Sequence, residues 1–209
     1  MSHLLLSSIG KKLIMSISGL FLIAFLLVHL TLNLMLIFDD TGDLFNLAAH
    51  FMATNPIIRI MEPILALGFL IHIFYASYLT LYNMRARPVS YAVSDQEKNA
   101  TWSSRNMYIL GTIIGTFLVI HIWNFFWKIK FSGHALLKPV EVNGIEMENT
   151  YALVAGLFKN FIVYDILYIV GAIALGLHLT HGFWSAFQSI GWSNDIWRHE
   201  KTCEKRMCN

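Results

Sequence analysis

Four long apolar runs constrain this chain more than anything else in it: Leu13 to Phe38, Ile57 to Asn83, Met107 to Trp127 and Phe161 to about Ser189. Each is long enough to cross a hydrocarbon core of ~30 Å, which takes roughly 20 helical residues. Apolar residues make up 56% of the 209 and charged residues only 13%, whereas soluble domains are about a quarter charged. The expected fold class is therefore all-α, a transmembrane helix bundle with four predicted transmembrane helices. The expected division is a membrane-embedded domain over residues 1–192 and a polar cytoplasmic tail over 193–209.

Charge orients the bundle. Lys11 and Lys12 precede a first run of 26 residues with no small-residue cleavage pattern after it, which reads as an uncleaved helix rather than a secretory signal. Ten of the fifteen Lys and Arg fall in the N-terminus, the second loop and the C-terminal tail: Lys11, Lys12, Arg85, Arg87, Lys98, Arg105, Arg198, Lys201, Lys205 and Arg206. By the positive-inside rule these segments, and so both termini, face the cytoplasm across the inner membrane. Cys203 and Cys208, the two cysteines, both fall in that tail, so reduced thiols are expected. The sequence has no Cys-x-x-Cys-His, no iron–sulfur pattern and no Gly-rich dinucleotide fingerprint. A net charge of +2 gives no basis for a nucleic-acid partner.

The loops carry readable punctuation. Asn55-Pro56 reads as an N-cap followed by proline at the first helical position, after a short segment that fits the membrane interface. Ser103 and Ser104 are expected to cap the third helix. Asn143-Gly144 is a turn signal in the third loop.

The histidines carry the chemistry. Of nine, His3, His134, His199 and His50 lie in termini or loops, while His29, His72, His121, and His178 with His181 lie inside the apolar runs, at least one per helix. A single such residue is readily explained by a hydrogen bond to a neighbouring helix. Ionisable groups on all four helices suggest a functional path instead, and imidazole is a common ligand for haem iron. Depth sorts them. Taken from the expected cytoplasmic ends, His29 lies 16 residues from Leu13 and His121 lies 14 from Met107, or roughly 24 and 21 Å at ~1.5 Å per residue. His72 and His178 each lie 11 residues from such an end, or about 16 Å. Helix ends read from sequence carry an uncertainty of about 5 Å, slightly less than the gap between levels. Two histidines at one depth suit one iron gripped from both sides, hence two bis-histidine b-type haems stacked across the bilayer.

Small residues one turn from a ligand would admit a flat macrocycle. His72 has Gly68 and Ala76 four residues away, and His178 has Ala174 and Gly182 with Gly171 further back, whereas His181 has Leu177 and Ser185. This favours His178 over His181, which is left a supporting role. The same small residues equally suit close helix packing. Phe25 and Asn33 flank His29, and Phe117 and Phe125 flank His121, so the outer pair lacks the feature.

In their order along the chain, "SSIGKKLIMSISGLFLIAFLLVH", "HFMATNPIIRIMEPILALGFLIH", "NMRARPVSYA", "SSRNM", "FLVIH" and "HLTHGFW" resemble the cytochrome b membrane anchor of succinate dehydrogenase and fumarate reductase, of the two-haem, single-chain type. The resemblance spans roughly residues 7 to 192. It implies that the bundle encloses two haems b, with His29 and His121 holding the one far from the cytoplasm and His72 and His178 the near one. It further implies a flavoprotein subunit and an iron–sulfur subunit docked on the cytoplasmic face, where the succinate or fumarate chemistry would lie. Electrons would pass through both haems to or from a membrane quinone, with menaquinone the expected type. Quinone candidates are His50, Arg59 and Glu62 at the outer end of the second helix. Arg85, Arg87 and Arg105 are candidates for haem propionates or partner docking. The family normally has a fifth spanning helix, where this chain has a polar tail. Two other readings fit the histidines: the cytochrome b anchor of another quinone-linked complex, such as a hydrogenase or formate dehydrogenase, and a haem-free, histidine-lined metal or proton transporter.

Overall fold

The computed structural model describes residues 7–86 and 101–192. Arg87, Lys98 and the tail with its two cysteines lie outside them. The first helix, α1 (Ser8–Phe38), starts where the Ser7 side chain accepts a hydrogen bond from the Gly10 N–H at 3.0 Å, satisfying one of the donors that a helix start leaves free. Asp39 ends it, and a tight turn through Gly42 (φ +80°) leads into α2 (Asp43–Thr54). The next helix, α3 (Pro56–Ala86), begins as expected at Asn55-Pro56, with Asn55 Oδ1 accepting from the Ile57 N–H at 2.9 Å.

The third crossing starts differently from expectation. Thr101, not Ser103 or Ser104, supplies a side-chain cap, and it caps the short α4 (Trp102–Arg105). Then α5 (Met107–His121) passes without a break into a π-helix over Ile122–Ser132, which Gly133 ends with φ +54°. The fourth crossing, α7 (Ile162–Ser189), follows a hairpin of β1 (Pro139–Val142) and β2 (Ile145–Glu148) and a helix α6 (Thr150–Asn160). Four of these helical stretches, counting α5 and its π-helical continuation as one, are long and apolar enough to cross a membrane.

The hairpin adds a two-stranded sheet to a mostly helical chain. Its strands pair antiparallel with Val142 opposite Ile145, and the two-residue turn between them has Asn143 at φ +54° and Gly144 at φ +79°. Positive φ at both positions is the type I′ geometry whose twist matches that of the strands. The Asn-Gly signal was legible; the flanking strands are too short and mixed to announce themselves.

The helices pack in a ring. The third crossing packs chiefly on α7, α7 on α1, and α1 on α3, while α3 and α5 touch least. No residue of α3 is buried, and Phe74, Ile57 and Ile60 stand largely exposed on it. In lipid this costs nothing, because hydrocarbon chains solvate such side chains as well as other side chains do.

At the hairpin end the structure is more like a soluble core. Val142, Met147, Leu153 and Leu157 are buried there beside Asn46 of α2, which is only 2% exposed. Asn46 Oδ1 accepts from the Thr150 hydroxyl (3.0 Å) and the Tyr151 N–H (2.8 Å), and its Nδ2 donates to Asn149 Oδ1 (3.3 Å). Asn149 in turn caps α6 by accepting from the Ala152 N–H at 2.9 Å. One buried amide thus ties the first loop to the third, with a partner at both its oxygen and its nitrogen.

Candidate functional site

Each crossing contributes one histidine to two facing pairs. The rings of His29 (α1) and His121 (α5) lie 5.5 Å apart between centroids, and those of His72 (α3) and His178 (α7) lie 6.4 Å apart. The planes within each pair are near perpendicular, at 81° and 71°. The π-helix begins one residue after His121, so the stretch from Met107 to that histidine is an ordinary α-helix. His181, one turn from His178, makes no ring contact or hydrogen bond among the described residues.

The surroundings of the two pairs differ. His121 sits in an aromatic nest, its ring 5.7 Å from Phe117, 5.3 Å from Phe125 and 5.8 Å from Tyr168. His29 stacks on Phe25 at 5.4 Å. The other pair is lined by small residues that the local flanks did not reveal. A methyl added at Gly19 of α1 would stand 3.6 Å from His72 Cε1, and one at Gly111 of α5 would stand 3.7 Å from His178 Cε1. By contrast, a Cβ at Gly68 or Gly171 would collide with the rings of Phe21 or Phe117, at 2.7 and 2.6 Å. These two glycines admit the rings of Phe21 and Phe117, the close helix packing that such small residues equally suit. Gly182 faces the Met107 methyl, where a Cβ would stand at 3.3 Å.

Hydrogen bonding separates structural from available imidazoles. Two of the intramembrane rings bond to a neighbouring helix: His72 through Nδ1 to Ser18 Oγ at 3.1 Å, and His178 to the Met107 backbone. The Nδ1 atoms of His121 and His178 are buried without a partner. In the hairpin-side half, Asn124, a side chain 2% exposed, pairs with the Tyr168 hydroxyl. Polar letters inside apolar runs were the only sequence signal for Ser18, Asn124 and Tyr168.

Each pair fits a bis-histidine metal centre. Metal–imidazole bonds of ~2 Å on opposite sides of one ion, with the radius of each ring added, separate the centroids by about 6 Å. Facing imidazoles of this kind could hold a haem iron, His29 with His121 and His72 with His178.

The quinone candidates each make a contact of their own. His50 lies on α2 and accepts from the Thr54 hydroxyl through its backbone carbonyl. Arg59 donates from Nε to the Ala53 carbonyl at 3.0 Å. Glu62 pairs with Lys130 of the π-helix at 2.9 Å, each about a third exposed. Arg85 and Arg105 are exposed at the opposite end of the bundle, Arg105 beside a shallow pocket that Thr80, Asn83, Ser104 and Tyr108 also line. No family model, curated sequence or solved structure matches the chain, so the functional reading rests on this geometry.

Proposed function

We propose that the chain is the membrane-anchor cytochrome b of a succinate:quinone oxidoreductase, carrying electrons between a cytoplasmic iron–sulfur subunit and a membrane quinone through two haems b. The observation that carries this reading is the pairing: four intramembrane histidines, one per helix, face each other two by two. Bound haem would supply reversible one-electron chemistry tuned by its axial ligands and their surroundings. His29 with His121, and His72 with His178, are the residues that would hold it.

The remaining roles belong to side chains near each end. Gly19 and Gly111 keep bulk away from the His72 and His178 rings, and Phe25, Phe117 and Phe125 exclude water from the other pair. Glu62, tied to Lys130 but a third exposed, is placed to exchange protons with a quinone at the hairpin end. The exposed Arg85 and Arg105 present positive charge for partner docking at the other end. Reduced-minus-oxidised spectroscopy of the purified chain or complex, with haem quantification, is the test. Two b haems per chain are expected, none refutes the cytochrome reading, and co-purification without a flavoprotein points to another quinone-linked complex.

A further inference from the structure

We propose that Ser18 is a positioning residue for His72: its hydroxyl fixes the imidazole in the Nδ1–H tautomer and leaves Nε2 as the ring's one free lone pair. This rests on the two-haem reading for its redox consequence but not for the tautomer itself.

Counting protons leads to the assignment. A serine hydroxyl has a single proton to donate, and Ser18 Oγ donates it to the Met15 carbonyl at 3.1 Å. The same oxygen lies 3.1 Å from His72 Nδ1. With the hydroxyl proton assigned to the Met15 carbonyl, Ser18 accepts from the ring, and Nδ1 carries the hydrogen. A neutral imidazole has one N–H, which makes Nε2 the unprotonated atom. Water does not compete, since Ser18 is 9% exposed. Gly19, the next residue, leaves the ring open on that side, so α1 approaches His72 closely enough for the bond to form.

Serine within a helix commonly bonds back to a carbonyl three or four residues earlier, and Ser16 does so to Lys12 without touching any histidine. Ser18 combines that back-bond with an acceptor role across the helix interface. His121 and His178 have no such partner at Nδ1. The two rings of the inner pair are therefore held differently, His72 by a side chain of α1 and His178 by the Met107 backbone. A ligand histidine that donates its second N–H is oriented and made more basic. A more basic axial ligand favours oxidised iron, so the Ser18 bond holds the midpoint potential of the His72 level down.

Two measurements test this. In the full chain labelled with nitrogen-15 at histidine, at mildly alkaline pH, His72 should give the signature of a single Nδ1-protonated tautomer, assigned by its loss in His72→Ala. Ser18→Ala should convert it to a mixture. A tautomer mixture in the unsubstituted chain, or no change in Ser18→Ala, overturns the assignment whether or not haem is present. In the haem-loaded complex, redox titration of Ser18→Ala should show one of two midpoints moved upward, the other unmoved, and Ser18→Thr should restore the original value. Unchanged midpoints with both haems in place overturn the redox role. If Ser18→Ala loses the inner haem, Ser18→Thr decides: retention at the original potential supports the role, and loss or a shifted potential refutes it. A chain without haem fails the cytochrome reading alone, since the tautomer measurement still stands.

Discussion

At the scale of single residues, the neighbouring histidines of the fourth crossing divide cleanly. His178 faces His72 at 6.4 Å between ring centroids, while His181 meets no ring among the described residues. His178→Ala should remove the inner haem, seen as one haem per chain instead of two, and His181→Ala should leave the spectrum intact; equal loss in both would undo the distinction. Gly111 offers the converse test. Replacing it with leucine puts a side chain where a methyl already stands 3.7 Å from the His178 ring, so the inner haem should fall out while the outer remains, by the same spectrum. Asp39, in the loop after α1, is a different kind of residue. The Leu44 N–H, and then the Thr41 hydroxyl, hold its carboxyl below the usual carboxylate range. A depressed folded value stabilises above the unfolded one and is lost as pH falls through the folded one. The loop between α1 and α2 should therefore loosen as pH drops below about 4, measured as faster amide exchange at Leu44, and Asp39→Asn should flatten that dependence.

Among the elements, the most informative is the assembly of α2, the hairpin and α6 around Asn46. Asn46→Ala leaves the Thr150 hydroxyl and the Tyr151 N–H without an acceptor in a buried place, so a loss of about 2–3 kcal/mol is expected. Chemical unfolding or protease cleavage in residues 133–161 would register it. The four crossings were legible because length and apolarity are properties of a single run. The pairing of histidines was legible because depth along a helix follows from a fixed rise. The Asn46 hub was not, because its partners lie more than a hundred positions away and buried amides look like any loop asparagine. The π-helix after His121 was equally hidden, as its hydrogen-bond shift leaves no compositional trace. Gly68 could not be read from sequence, because a glycine one turn from a histidine serves a neighbouring helix as readily as a ligand, and only the structure shows Phe21 against it.

For the molecule as a whole, the spanning helices bury little of one another; no residue of α3 is buried, and the Nδ1 atoms of His121 and His178 lie buried without a partner. Binding of a group that the folded bundle holds and the unfolded chain does not adds stability by mass action. Chain produced under haem limitation should accordingly unfold at a lower temperature and digest faster than the loaded form, and equal stability would argue that the histidine pairs hold nothing. The first helix has a further consequence. It supplies His29 to one pair and Ser18 to the other, eleven positions apart on one unbroken α-helix, or about 16 Å of rise. That helix works as a ruler. Each residue added between the two marks turns one against the other by about 100°, so an in-frame insertion there forfeits one level of the bundle whichever level keeps its register. The Asn143-Gly144 turn measures nothing, and a genetic screen for tolerated insertions should find it permissive and the interval from Ser18 to His29 barren.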